Sequence, residues 1–152
     1  MPQVDASQFT IGVFQDAAWA ERGLDALKKH AFLTEAVSII AKDTPETAVL
    51  VEQTCGTAPA RLTLPRLGPI VASGSLIDAL EGPAGDLVRV GLAAAFKRVG
   101  FQVHDGQIFE TLTGRGGVLV AIKGEPRAAD ALAVLHSFGG GNAAIGAWSG
   151  RL

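Results

Sequence analysis

The chain has a single cysteine, Cys55, and no tyrosine among its 152 residues. One cysteine excludes an internal disulfide and any metal knot built on several thiolates, and a reducing cytoplasm is the compartment that fits it. Charge is sparse as well. Thirteen basic and 15 acidic side chains make up 18% of the sequence and leave a formal net charge of −2. No run of lysine or arginine is longer than two residues, so the basic footprint that nucleic acid requires is missing. The opening Met1-Pro-Gln-Val-Asp5 lacks the basic and apolar segments of a secretory signal. The apolar stretch from Leu67 to Leu80 is interrupted by Pro69 and Asp78, well short of the ~20 residues that span a bilayer. These absences predict a soluble cytoplasmic protein without a nucleic-acid partner.

What the chain does have is glycine, 19 residues of it, and a hydrophobic fraction of 48%. The length suits one domain with a proper core. A surface this poor in charge is expected to be covered in part by partners.

Two short β-α-β patterns flank a glycine-rich middle. In Phe9-Thr-Ile-Gly-Val-Phe14, residues Phe9, Ile11 and Val13 alternate with Thr10, Gly12 and Phe14, which is the period of a strand. Asp16 can cap a following helix whose Ala17, Ala20, Leu24, Leu27 and Ala31 form one apolar stripe. Ala36–Ala41 closes this unit as a second strand. Thr44-Pro45 starts a helix that Gly56 stops, giving Pro45–Cys55. Three prolines between Thr57 and Pro69 predict an extended connection rather than a packed element. Helices are expected at Ile70–Leu80, Asp86–Val99 and His104–Thr113. The second is apolar around most of its circumference, and its Gly91 and Ala95, four apart, could admit a close helix but read first as ordinary tight packing. Val118–Ile122 is the most strand-like run of the chain, a helix opens at Pro126 and ends at Gly139-Gly-Gly141, and Asn142–Trp148 is the last strand.

Two β-α-β units in one sheet predict an α/β (α+β) fold, a ferredoxin-like sandwich with a helical, glycine-rich insert between its halves. The parts are a first half at 8–42, an insert at 43–117 and a second half at 118–149, in one domain spanning 1–152. The helices of the two units are expected to cover one sheet face, and the other is open unless the insert or a second subunit covers it, with Phe14, Leu119, Ala121 and Trp148 as the residues there.

The order of residues resembles the bacterial heat-induced general stress protein family. Three stretches carry the likeness: Val13-Phe14 with Ala20, Leu24, Leu27 and Phe32 before Val37-Ser38-Ile39; Leu67-Gly-Pro-Ile-Val-Ala-Ser-Gly74; and Phe109-Glu110 leading into Arg115-Gly-Gly-Val-Leu-Val-Ala121. The resemblance implies a small stress-associated α/β protein with no assigned reaction. Family members usually carry paired aromatics followed by acids before the Gly116-Gly117 pair, whereas here Ile108 and Phe109 precede Glu110 and Thr111 takes the place of the second acid. An acidic surface role for that helix is thereby put in doubt.

No reactive set converges in the sequence. Gly114-Arg-Gly-Gly117 sets a cation beside flexible amides, but it precedes a strand instead of opening a helix, so a turn is the better reading than a phosphate cradle. His30, His104 and His136 are scattered without ligand spacing, and His104 with Asp105 and Glu110 reads as an exposed helix start before it reads as a metal site. Cys55 has no neighbouring base and reads as a small buried side chain. Ser73 and Ser75 flank Gly74 without the Gly-x-Ser-x-Gly pattern. Trp19 lies off the helix stripe, and Trp148 is the better contact residue.

The expectation is a non-enzymatic, stress-associated homo-oligomer, a dimer or larger, acting through hydrophobic contacts and needing no catalytic residue, cofactor or metal. Phe14, Leu67, Pro69, Ile70, Phe109, Leu119 and Trp148 are its candidate interface or pocket residues. A small-ligand sensor with a pocket between sheet and insert is the alternative. Peripheral membrane attachment through Leu67–Val99 is a third, weakened by a basic edge of only Arg89, Lys97 and Arg98.

Overall fold

The structure is a computed structural model, and it describes residues 9–29, 37–56, 59–65, 67–81, 86–98 and 103–123. Within them the chain runs β1 (Phe9–Phe14), α1 (Ala17–Lys29), β2 (Val37–Lys42), α2 (Pro45–Cys55), β3 (Ala60–Leu64), β4 (Gly68–Ser73), α3 (Ser75–Glu81), α4 (Asp86–Val90), α5 (Leu92–Arg98), α6 (Val103–Gly114) and β5 (Val118–Lys123). The strands form one antiparallel sheet in the order β1-β5-β2-β4-β3. The fold is mixed α/β.

The first unit closes as its pattern demands, with one refinement. β5 is antiparallel to both β1 and β2, so those two strands are parallel and β5 lies between them. α1 crosses over this split pair. Its first turn is capped by Asp16, whose Oδ1 accepts the Trp19 N–H at 2.9 Å. α2 starts in a capping box, in which Thr44 Oγ1 accepts the Thr47 N–H at 3.1 Å and Thr47 Oγ1 accepts the Thr44 N–H at 3.0 Å. It stops at Gly56, whose φ of +74° is the left-handed cap that glycine takes without strain.

The pleat sends alternate residues to two separate cores. Ile11, Val13, Ile40, Ile70, Leu119 and Ala121 face the layer of α3, α4, α5 and α6, while Phe14, Ile39, Val71, Val118, Val120 and Ile122 face α1 and α2. Helices therefore cover both faces of the sheet. Each fully buried Ile, Leu or Phe contributes about 1.5–3 kcal/mol relative to its exposed state, so a sheet lined on both sides needs no second subunit to hide it. The sheet face expected to be open unless the insert or a second subunit covered it is covered by α3 to α6 of the insert. Leu119 and Ala121 lie on that face as expected, but Phe14 lies on the other, against α1, because a strand turns successive side chains to opposite sides.

The middle of the chain departs from its expectation in three places. Ile70–Ser73, expected as the start of the helix Ile70–Leu80, belongs to strand β4, which pairs Ile70, Val71 and Ala72 with Lys42, Ala41 and Ile40. A run of four to six apolar residues carries no period long enough to separate helix from strand, and the neighbour β2 decides it. Thr57–Pro69, expected as an unpacked connection, contains β3, whose Leu62 and Thr63 pair with Ile70 and Pro69. Its prolines punctuate the strand rather than abolish it, since Pro65 follows its end. The expected helix Asp86–Val99 is broken at Gly91, φ +94°, into α4 and α5. α5 and α6 approach closely at Gly106, where a Cβ would stand 2.9 Å from the carbonyl oxygen of Ala93 on α5. The rings of Phe96 and Phe109 meet beside it with centroids 5.1 Å apart. The helix and strand expected at Pro126–Gly141 and Asn142–Trp148 lie outside the described residues.

Candidate functional site

The seven residues picked out by sequence do not form one surface. Leu67, Ile70, Phe109 and Leu119 are buried together in the core under α3 to α6, while Phe14 is buried in the core under α1 and α2. Pro69 is exposed on β4 opposite Thr63. Trp148 lies outside the described residues. The interface between the sheet and α3 to α6 is packed with side chains, and among the described residues Val88 of α4 and Val49 of α2 are the large apolar side chains left exposed.

The Gly114-Arg115-Gly116-Gly117 loop is a helix stop. Its amides are spent on the end of α6: Arg115 N–H donates to the Thr111 carbonyl at 3.1 Å, Gly116 N–H to Thr113 at 3.1 Å and Gly117 N–H to Leu112 at 3.0 Å. An anion cradle needs those N–H groups free. Lys42 comes from β2 and donates its Nζ to the Gly114 carbonyl at 3.4 Å, which places a cation at the negative end of the helix. Gly116 has φ +97° with open space around it, whereas a Cβ on Gly117 would meet the Leu112 carbonyl oxygen at 2.6 Å and Val13 Cγ1 at 2.8 Å. Backbone geometry explains one glycine and crowding the other.

Polar side chains in the core are structural. The Ser38 hydroxyl, fully buried on β2, accepts the Leu76 N–H of α3 at 3.0 Å. Glu110 reaches from α6 to accept the Ala93 N–H at the start of α5 at 3.1 Å, a role that its place behind Phe109 in sequence did not signal. Thr113 is buried with its hydroxyl unpartnered among the described residues. His30 and His136 lie outside the described residues. Among the described residues no three His, Cys, Asp or Glu side chains come together as metal ligands, and no helix is long and apolar enough to cross a membrane.

Among the described residues an accessible concavity lies between α1 and α2. One cavity of about 230 Å³ is lined by Glu21, Leu24, Asp25, Leu27, Lys28, Val37, Leu50, Gln53 and Thr54. A second adjoins it, lined by Ala17, Ala18, Glu21, Pro45, Glu46, Val49, Leu50 and Gln53. The two share Glu21, Leu50 and Gln53, so they form one continuous groove with Leu50 at its waist. Leu24, Leu27 and Leu50 are buried in its floor, and Val49 is 53% exposed above it. Asp25 is held by Lys29 at 3.1 Å; Glu21, Lys28 and Glu46 have no ion-pair partner among the described residues. Sequence reasoning followed the apolar stripe of α1 and the caps of α2, and passed over the flank of α2 on which Val49 sits.

Compared with models of known families, with curated proteins and with solved structures, the chain matches none, so its function has to be argued from its own residues.

Proposed function

We propose that this chain is a non-enzymatic, stress-associated cytoplasmic protein that self-associates through apolar contacts. The observation that carries the reading is Val49, 53% exposed beside a groove floored by Leu24, Leu27 and Leu50. Both sheet faces are occupied by the chain's own helices, so the contact surface moves from the sheet to the α1/α2 pair. Apolar surface gathered around a concavity, unlike an apolar side chain exposed singly, marks a contact site. The association with stress rests on the family resemblance. Light scattering on the eluting full chain tests the reading: an oligomer at micromolar concentration is expected, and a clean monomer overturns it.

The ferredoxin-like arrangement is part of the same proposal. Three of its four expected strands, β1, β5 and β2, stand side by side in the order that arrangement requires. β1 is the outer strand among the described residues, which is where the strand expected at Asn142–Trp148 belongs. Amide exchange checks this, because outward-facing N–H groups of β1 are protected only when another strand pairs with them.

A second reading, a small-ligand sensor, is favoured by the 230 Å³ cavity, where Glu21, Gln53 and Thr54 stand over Leu24, Leu27 and Leu50. Its volume is below the ~300–1,000 Å³ of drug-sized sites, so its ligand would be a small molecule. A thermal-shift screen against metabolites tests it, since a ligand that binds only the folded state raises the melting temperature.

A further inference from the structure

β3 is an edge of the sheet among the described residues, and one proline in its neighbour fixes where its backbone groups point. Pro69 of β4 has no N–H, and its carbonyl accepts the Asp43 N–H at 3.1 Å on the β2 side. Thr63 stands opposite Pro69 and is therefore not hydrogen-bonded to it. Bonded and non-bonded positions alternate along an antiparallel pair, so Ala60, Leu62 and Leu64 turn their N–H and C=O groups toward β4, while Arg61 and Thr63 turn theirs outward. Both residues are exposed. Native sheets commonly blunt an edge with inward charges, a bulge or a covering loop. Here the one charge is Arg61, and its side chain is held by Asp43 at 3.3 Å. Leu62, between the two outward residues, is half-buried against the core under α3 to α6, and α4, which packs on β3, leaves Val88 42% exposed.

This edge is symmetric about Leu62. Arg61 and Thr63 lie one residue to either side of it, and Pro59 and Pro65, which have no N–H, lie three residues to either side. An antiparallel copy of the same strand centred on Leu62 sets Arg61 opposite Thr63 twice, pairs every outward N–H with an outward carbonyl, and sets proline opposite proline. No N–H is left over at either end. A longer foreign strand would outrun the edge, where Pro59 and Pro65 have no N–H to give. We propose that a second copy of this chain adds its β3 to β3, antiparallel about a two-fold axis at Leu62, and joins the two sheets into one. Strand addition at an exposed edge is a general mode of recognition, and a two-fold lets the same edge serve both copies. Leu62 packs on the partner's Leu62 at the close spacing of a non-hydrogen-bonded pair, and each arginine meets a threonine instead of the other arginine. The proposal rests on the self-association reading above and gives it a contact made by backbone groups, separate from the α1/α2 groove.

Two measurements on the full chain decide it. In amide exchange followed by nuclear magnetic resonance, the Leu62 and Leu64 amides face β4 and should be protected at every protein concentration, whereas those of Arg61 and Thr63 should become protected only as the chain associates. In sedimentation equilibrium, Thr63→Pro removes an N–H that has no acceptor within the chain, at an edge position that tolerates proline, so the fold and its far-ultraviolet circular dichroism should stay unchanged. It deletes one intermolecular hydrogen bond per copy and should raise the dissociation constant by about tenfold or more. Thr63→Val keeps the N–H and should dimerise like wild type. A monomeric wild type overturns both this contact and the self-association reading. A dimer in which the Arg61 and Thr63 amides exchange equally fast at all concentrations overturns the contact alone, as does a Thr63→Pro dimer as tight as the Thr63→Val one.

Discussion

Ser38 on β2 and Leu76 at the start of α3, 38 positions apart in the chain, are joined by a 3.0 Å hydrogen bond in which the Leu76 N–H donates to the Ser38 hydroxyl. The bond fastens the insert to the sheet at the point where the chain leaves β4. Gly74 makes it possible, because a Cβ there would stand 2.3 Å from Ser38 Oγ, and its φ of +111° is one that side-chain-bearing residues rarely adopt.

Ser38→Ala removes the acceptor and leaves a buried N–H unpaired, which costs about 1–3 kcal/mol. Urea unfolding should show the midpoint falling with the slope unchanged. Gly74→Ala should cost at least as much, through crowding and backbone strain together.

Gly23 reverses an ordinary rule. Glycine to alanine inside a helix usually stabilises by about 1 kcal/mol, but a Cβ on Gly23 would lie 2.4 Å from Cζ of Phe14, whose ring is fully buried. Gly23→Ala is therefore expected to destabilise by about 1–3 kcal/mol through overpacking. Combining it with Phe14→Leu should cost less than the two single changes added, and a double-mutant cycle on unfolding free energies measures that coupling.

Glu110 accepts the Ala93 N–H at the start of α5, where a helix leaves its first amides unsatisfied. Glu110→Ala is expected to cost about 0.5–2 kcal/mol. Glu110→Gln, which keeps a carbonyl oxygen in reach, should cost less. Thermal unfolding of the three proteins gives the order directly.

The Gly116-Gly117 pair predicts two different penalties. Gly116→Ala should cost about 1–2 kcal/mol for its positive φ alone, with Gly116→Asn less harmful because asparagine tolerates that region better. Gly117→Ala should cost about 1–3 kcal/mol, since its Cβ meets the Leu112 carbonyl and Val13. Inorganic phosphate should leave the melting temperature of the wild type unmoved, because the amides of the loop already serve the end of α6.

Chemistry within a few residues of a position was readable in advance. Asp16, Thr44 and Gly56 cap helices where their types and spacing said they would, and the period of Phe9–Phe14 gave a strand with the same bounds. The α6 helix, expected over His104–Thr113, runs Val103–Gly114. Ile70–Ser73 reads as helix in the sequence because Ile70-Val71-Ala72 satisfies helix and strand patterns equally, and the partner that settles it, β2, lies far earlier in the chain. Phe14 was assigned to the wrong face because period two separates faces without saying which helix covers which.

The groove was hidden for a related reason. Leu24 and Leu27 on α1 and Leu50 on α2 come together as a groove floor only once parallel crossovers lay α1 beside α2. The sequence alone determined where helices begin and end and how each strand alternates, since those depend on φ preferences, caps and side-chain period over one or two turns. The tertiary structure decided which segment β2 pairs with, which glycines must stay glycine and what the insert covers, because each of those depends on contacts between residues far apart in the chain. The two opening β-α-β patterns needed no more than local rules; their strand order and the surface they leave open needed the whole sheet.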